Sequence, residues 1–276
     1  MPLERANAAS DGMRRVSLFI GAPLAGILIA ILGTSNLLWL DAVSFALSAA
    51  LIGLAVPRRS AAHPKAGKGS YLTDVLTGLS FIRRNQLILA IILTVMITNL
   101  LDEAFFAVAL PAYVKHFFGS VVIVGVLSSC VGGAAFVSTI IFGAIGHRLP
   151  RRLTFALGFM TLSLRFFVFA LVPFLPVLLI ANIISGLGAG PLNPIMSTVE
   201  QEVVPPEMRA RVFGTTTAGA YIGMPLGALL CGYLIQWAGI LPSLFVLGVC
   251  YLLTTTSLLV NPALKEMARR PEEATR

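Results

Sequence analysis

Residues 86–113 read QLILAIILTVMITNLLDEAFFAVALPAY, a stretch in which Asp102 and Glu103 are the only charged residues. An α-helix over this stretch would be about 40 Å long at the usual rise per residue. That is longer than the roughly 30 Å hydrocarbon core of a bilayer. The length and the scarcity of charge therefore predict a transmembrane helix.

Similar apolar runs fill the rest of the chain. The other predicted spans cover residues 16–32, 37–56, 120–146, 152–172, 176–198, 210–237 and 240–260. The polar segments between most of them are short. We therefore expect an all-α membrane protein with about eight transmembrane helices.

The basic residues predict the orientation of these spans. Of the 20 Lys and Arg residues, all except Lys115 and Arg165 fall in alternate loops or near the two ends. Cytoplasmic loops of membrane proteins carry such an excess of Lys and Arg. We therefore expect a multi-pass protein of the inner (plasma) membrane with both termini in the cytoplasm.

Composition argues against other classes of protein. The chain is 57% hydrophobic and 12% charged, against about 25% charged in soluble domains. The net charge of +8 does not indicate nucleic-acid binding, because the basic residues flank predicted spans. The three cysteines lack metal-ligand spacing, and the sequence has no Walker phosphate-binding motif. We expect no metal, no cofactor and no enzymatic activity.

The chain divides into four predicted segments. Residues 1–56 would hold two spans, residues 57–85 a cytoplasmic linker, residues 86–262 a six-helix bundle, and residues 263–276 a cytoplasmic tail. Within the linker, apolar residues recur at helical spacing from 71 to 84. This pattern predicts an amphipathic helix at the membrane surface.

The sequence also contains an internal repeat. RAN at 5–7 is followed by GAPLAG at 21–26, and RAR at 209–211 is followed by GMPLGA at 223–228. Six predicted spans separate equivalent points of the two copies. A parallel repeat of six-helix units is typical of one class of transporters.

Three further motifs accompany the repeat: LDAVSF at 40–45, GAIGHRLPRR at 143–152 and VPPEMRAR at 204–211. With them, nearly the whole chain resembles the major facilitator superfamily. Within that superfamily it is similar to bacterial enterobactin and macrolide exporters, the transmembrane secretion effector group. The resemblance implies that the spans correspond to family helices five to twelve, with the first four missing. We expect a partial N-terminal half and a complete six-helix C-terminal half.

The resemblance implies a secondary active transporter. We expect proton-coupled export of a small hydrophobic molecule or a siderophore-like compound. The expected partners are the lipid bilayer, the substrate and protons, with no nucleic acid. The alternative is a non-transporting membrane fragment, or a helper that needs the missing helices or self-association. Because alternating access needs two bundles around one site, we expect the chain alone not to transport.

Two carboxylates near the middle of the third span are the first candidates for function. A carboxylate at membrane depth is costly unless it faces a cavity or a partner, and the corresponding family helix lines the central cavity. Asp102 or Glu103 would then couple transport to protons or bind a cation. Adjacent helical residues point about 100° apart, so only one would face the cavity. Alternatively, both reach the outer interface. The neighbouring candidate amides are Asn99, Asn182 and Asn193.

Glycines and prolines interrupt several predicted spans. They either let helices bend during transport or let helices pack closely, and both interpretations stay open. In the sixth span these residues are Gly186, Gly188, Gly190 and Pro191, and in the two repeat copies they are Gly21, Pro23, Gly26, Gly223 and Pro225. The first copy partly resembles a signature of antiporters, which favours export over uptake.

The loop motif at 143–152 is a candidate conformational latch. Its residues are Gly143, His147, Arg148, Arg151 and Arg152. The simpler interpretation is that the arginines only set topology. In the family, charges in this loop hold one conformation. His147 stands where the family usually has Asp, so the usual carboxylate partner is absent.

The remaining charges receive simpler interpretations. Arg165 lies inside the fifth span, and the corresponding family helix is peripheral. We expect its side chain to extend outward to the membrane surface, with substrate binding as the alternative. In the next cytoplasmic loop, Glu200, Glu202, Arg209 and Arg211 could form exposed ion pairs, which contribute little.

Overall fold

The computed structural model describes residues 5–13, 17, 34–55 and 71–268. Most of the first predicted span lies outside these residues. So do Gly21, Pro23 and Gly26 of the first repeat copy, and the end of the predicted cytoplasmic tail. The expectations about them stay predictions.

The described chain is helical, with no β-strand among the described residues, which confirms the predicted fold class. The α-helices are α1 (5–13), α2 (Thr34–Ala55), α3 (Tyr71–Arg84), α4 (Gln86–Glu103), α5 (Leu110–Phe117), α6 (Val121–Ile145), α7 (Arg151–Leu171), α8 (Leu175–Ala189), α9 (Leu192–Val203), α10 (Arg209–Ile222), α11 (Met224–Ala238) and α12 (Ile240–Val260). A π-helical segment, Ala104–Ala109, joins α4 to α5. Short 3₁₀ helices cover Gly146–Arg148 and Pro262–Ala268.

Six helical segments of the described chain are long and apolar enough to cross a bilayer. They are Gln86–Phe117, Val122–Arg148, Arg151–Leu171, Leu175–Val203, Arg209–Ala238 and Ile240–Val260. They match the six spans predicted from residue 86 onward. The second predicted span is a helix whose apolar part, Leu38–Leu54, is shorter. The predicted count of eight is therefore approximate.

Two of the six spans are interrupted at glycine–proline sequences. Gly190 and Pro191 separate α8 from α9, and Gly223 separates α10 from α11, whose second residue is Pro225. Proline has no backbone N–H to donate to the preceding turn, so a helix tends to break or begin there. Each of these two spans is therefore built from two consecutive α-helices.

The amphipathic helix α3 leads directly into α4 and packs against the start of the bundle. Asn85 caps α4, because its side-chain Oδ1 accepts a hydrogen bond from the Ile88 amide at 2.9 Å. α3 packs against α10, and Asp74 pairs with Arg211 at 2.8 Å. α3 occupies the residues that predicted an amphipathic helix.

Small residues bring the central helices together. α8 packs extensively against α6 and α7, and α7 packs against α12. Gly186 and Gly190 lie against α6, and Gly188 lies against Gly158 of α7. These glycines therefore serve close packing in this structure, while bending during transport stays a prediction.

The outer surface suits a lipid environment. α2 exposes its large apolar side chains, among them Trp39, Phe45 and Leu54. Exposed apolar side chains also lie along α6, α8 and α12. A bilayer accepts such surfaces because its core is as apolar as they are.

Candidate functional site: a polar cavity that leads to a buried ion pair

A polar recess of the described bundle lies between α1, α4, α9 and α10. It has a volume of about 500 Å³, which is within the usual range for small-molecule sites. Its polar lining residues are Asn7, Ser10, Asp11, Asn99, Asn193, Ser197, Glu200, Gln201, Thr216, Thr217 and Tyr221. Such a group of polar side chains inside an apolar bundle marks a functional-site candidate.

One wall of this cavity is α1, which is held to α9 by hydrogen bonds. Asn7 donates to the Thr198 hydroxyl at 2.9 Å and accepts from the Gln201 amide at 3.0 Å. Asn193 donates to Asp11 at 3.3 Å. We did not predict Asn7 and Asp11 as site residues. The internal repeat was the available signal, since it pairs α1 with α10 and both helices border the cavity.

A smaller cavity of about 150 Å³ adjoins the first and reaches Asp102. Both cavities are lined by Asn99 and Asn193. Asn99 also donates to the Ala220 carbonyl at 2.9 Å, which ties α4 to α10. Three of the predicted site residues, Asn99, Asn193 and Asp102, therefore lie around these two adjoining cavities.

Asp102 is held by partners from two other helices. Arg165 of α7 donates a charge-assisted hydrogen bond to Asp102 Oδ1. The Tyr251 hydroxyl of α12 donates to Oδ2 at 3.4 Å, a long hydrogen bond. Asp102 is thus the point at which α4, α7 and α12 meet through polar atoms.

The prediction that Arg165 reaches outward to the membrane surface was wrong. Its side chain is only 1% exposed. Its Cζ atom lies 4.7, 4.8 and 5.0 Å from the ring centres of Phe105, Phe106 and Phe166. The aromatic faces and the Asp102 carboxylate together offset the cost of burying the guanidinium.

The helix changes its geometry directly after the two carboxylates. The π-helical segment Ala104–Ala109 follows Glu103, and short π-helical segments occur frequently at functional sites. Asp102 lines the smaller cavity and Glu103 does not. Within the described chain, Glu103 makes no side-chain hydrogen bond or ion pair.

Asn182 lies away from these cavities. It is fully buried in α8, where its amide donates to the Leu178 carbonyl at 2.7 Å. Its Oδ1 atom has no hydrogen-bond partner among the described residues. The structure therefore does not group Asn182 with the other predicted amides.

Glu200 is a site residue that sequence reasoning missed. We expected it in an exposed loop, but α9 continues to Val203, and Glu200 is only 8% exposed. It lines the larger cavity. Its Oε1 atom is buried without a hydrogen-bond partner in the described chain. No local sequence signal distinguished this helix end from a loop.

The loop motif is joined to the bundle by Arg151. This residue forms two hydrogen bonds to Glu202 of α9, at 2.7 and 3.0 Å, and is 5% exposed. Arg152 donates to the Leu259 carbonyl at the end of α12. Glu202 thus supplies a carboxylate partner for the motif, although His147 occupies the position at which the family usually has Asp.

Gly143, at the start of this motif, contacts α1. A Cβ atom added to Gly143 would lie 3.2 Å from the Ala8 Cβ atom. Ala8 is 3% exposed and belongs to the main core. The α1 helix is therefore packed against α6 as well as hydrogen-bonded to α9.

Comparison with known proteins identifies the family. A protein-family model described as the Major Facilitator Superfamily matches residues 92–276. This chain belongs to the Major Facilitator Superfamily. The match confirms the predicted superfamily, so the protein is a multi-pass membrane protein of a transporter family. The closer resemblance to enterobactin and macrolide exporters stays a prediction.

Curated relatives in the superfamily are multidrug efflux pumps. The chain is 27% identical over 271 residues to "Multidrug efflux pump Tap" of Mycobacterium tuberculosis, covering 98% of this chain and 64% of the relative. It is 27% identical over 277 residues to Tap of Mycolicibacterium fortuitum, covering 96% of this chain and 65% of the relative. The chain therefore spans a little less than two thirds of the length of these relatives.

Proposed function

We propose that this superfamily member takes part in secondary active export of a small hydrophobic molecule, driven by protons. The observation that carries the proposal is a pair of adjoining cavities, both lined by Asn99 and Asn193, of which the smaller reaches Asp102. Cavities that reach a partly buried carboxylate provide both a place for substrate and a group that can exchange a proton. The names of the relatives add support for efflux.

The charges around the cavity favour some substrates over others. Among the described lining residues, Asp11 and Glu200 carry carboxylates, and no Lys or Arg is present. Met196 and Phe213 add apolar surface. Because complementary charge guides recognition, this lining favours neutral or cationic hydrophobic compounds. It disfavours anionic siderophore-like compounds.

The ion pair suggests how a proton would be coupled to movement. While Asp102 is ionised, Arg165 and Tyr251 hold α4 against α7 and α12. Protonation of Asp102 would remove its charge and weaken its attraction to Arg165. The three helices could then shift relative to one another, as in transitions between two packed states.

Dye binding tests this proposal. We expect the purified chain in lipid nanodiscs to bind the lipophilic cation ethidium saturably, and a catecholate anion more weakly. Asp102→Asn should lower the ethidium affinity about tenfold, which corresponds to about 1.4 kcal/mol. Glu103→Gln is the matched control and should bind as the unmodified chain does, because Glu103 lies outside the smaller cavity. Fluorescence titration measures both affinities, and non-saturable uptake of dye would contradict the proposal.

Vesicles separate transport from binding. In vesicles that contain the chain, proton-driven movement of ethidium that Asp102→Asn abolishes would support transport by the chain itself. Binding without movement would instead favour the alternative of a helper that needs a partner chain. The Glu103→Gln variant again serves as the matched control for loss of a neighbouring charge.

The orientation of the spans is a further proposal. The charged loops around 146–150 and 204–208 lie at one end of the six spans, because consecutive spans alternate in direction. Reporter fusions should therefore report the cytoplasm at Lys68, Arg152, Met208 and Arg270, and the outside at Ser35, Gly119, Phe174 and Gly239. A clear inversion at two neighbouring loops would contradict this topology. The positive-inside rule is the physical basis.

A further inference from the structure

We propose that Glu200 is a second protonation site, and that its charge controls how tightly α1 closes the larger cavity. This inference rests on the proposed function and adds a control of access to it. Asp102 would couple transport to protons, while Glu200 would set the width of the opening between α1 and α9.

The surroundings of the carboxylate carry the first step. Glu200 is 8% exposed, lines the cavity, and leaves Oε1 buried without a hydrogen-bond partner in the described chain. A buried carboxylate that accepts no hydrogen bond is costly as an anion. A proton taken from cavity water, forming the O–H bond of the carboxylic acid, removes that cost. Release of the proton returns it to the same water.

The nearby cations are engaged elsewhere. Arg151 of α7 is bound in a two-bond contact to Glu202. Arg209 of α10 donates to the Gln201 carbonyl at 2.6 Å. α8 contains no charged residue. Arg152 of α7 donates to the Leu259 carbonyl, so none of these helices supplies a cation to Glu200 in the described chain.

The remaining charged and titratable groups do not stabilise a Glu200 anion either. Asp11 of α1 lines the same cavity and adds negative charge, and Tyr221 of α10 lies on the same lining. Arg5 is exposed at the start of α1. In α10 Arg211 pairs with Asp74. On α4, Asp102 pairs with Arg165 and Glu103 lies outside the smaller cavity.

The hydrogen bonds between α1 and α9 enclose Glu200. Asn7 forms hydrogen bonds with Thr198, which precedes Glu200 in the sequence, and with Gln201, which follows it. All three α9 residues lie within one helical turn. An ionised Glu200 carboxylate is stabilised by hydration, and separating α1 from α9 admits the water that hydrates it. Protonation removes the charge, so the α1–α9 contact can close.

Cysteine accessibility measures this opening directly. Ser197 lines the same cavity, so Ser197→Cys is introduced after Cys130, Cys231 and Cys250 have been replaced. Its rate of reaction with an uncharged methanethiosulfonate reagent, which the charge of Glu200 neither attracts nor repels, is followed in nanodiscs from about pH 5 to about pH 9, a range that covers carboxylates in different surroundings. Each rate is divided by that of Pro206→Cys, in an exposed loop. This ratio removes the pH dependence of thiol ionisation that the two sites share.

We expect the corrected rate to rise about tenfold as pH rises. This rise corresponds to a coupling free energy of about 1.4 kcal/mol between proton release and opening of the cavity. Glu200→Gln keeps the side-chain shape but cannot ionise. Its corrected rate should stay low at every pH. Glu200→Asp should restore a rise. Glu207→Gln removes an exposed carboxylate from the next loop and should leave the profile unchanged.

Two results would overturn the inference. One is an unchanged rise in Glu200→Gln, and the other is a flat profile in the unmodified protein. Neither depends on ethidium, so failure of this inference is distinguishable from failure of the proposed export. Size-exclusion profiles of all variants establish that a flat profile comes from a folded protein.

Discussion

An Arg165→Met variant should lose about 3 kcal/mol of folding free energy, the lower end of the usual cost of breaking a buried ion pair, because the Asp102 side chain that is left is 25% exposed. In the native structure Arg165 is 1% exposed and bonds to Asp102. Methionine fills apolar space beside Phe105, Phe106 and Phe166 but loses the cation–π contacts, and it leaves Asp102 with one long hydrogen bond, from Tyr251. Denaturant unfolding in detergent micelles measures the loss.

A double variant separates charge from packing. Arg165→Met combined with Asp102→Asn should recover most of the lost stability, because it removes both charges together. Arg83→Met is the control for removal of an arginine, since Arg83 is exposed in α3, and it should change stability little. Equal losses in the single and double variants would show that packing, and not the ion pair, matters at Arg165.

The spans from residue 86 onward could be predicted because two strong signals agree there. Apolar length is a local property of the sequence, and the bilayer thickness sets the length that is needed. The alternation of basic loops adds an independent count. The six spans of the described chain match the predicted ones to within a few residues, except where α9 extends to Val203.

The direction in which Arg165 points could not be predicted for a physical reason. In a membrane protein both the lipid-facing and the bundle-facing sides of a helix are apolar, so amphipathic periodicity is weak. The partner of Arg165 is Asp102, 63 residues earlier in the chain. Only the tertiary structure, in which α12 packs against both α7 and α4, shows that these two side chains meet.

Glu200 was misjudged for a related reason. A cluster of charges after an apolar run ordinarily marks the end of a span, and we drew that end at residue 198. In the structure, α1 forms a hydrogen bond with Thr198 at that point and another with Gln201 beyond it. A helix whose polar end is covered by another helix has no local signature that distinguishes it from a loop.

The composition of α8 does not show whether its glycines allow bending or close packing, because both uses favour glycine. A Gly186→Leu variant should lose about 3 kcal/mol of folding free energy, at the upper end of the usual cost of overpacking. A Cβ atom at position 186 would lie 2.8 Å from the Ala134 Cβ atom and 3.1 Å from the Ala135 amide nitrogen, and would also collide with the Val131 carbonyl. Two of these three neighbours are backbone atoms, so α6 and α8 would have to separate.

Gly132→Leu provides the matched control on the facing helix. Gly132 is exposed on α6, and a Cβ atom there would meet no atom of the described chain within 4 Å. Leucine favours helix over glycine by nearly 1 kcal/mol, so this variant should keep or gain stability in the same unfolding assay. If Gly186→Leu were as stable as Gly132→Leu, the α6–α8 interface would be loose enough to admit a side chain. Such tolerance would favour a hinge at Gly186, whereas a large difference between the variants would favour a fixed contact.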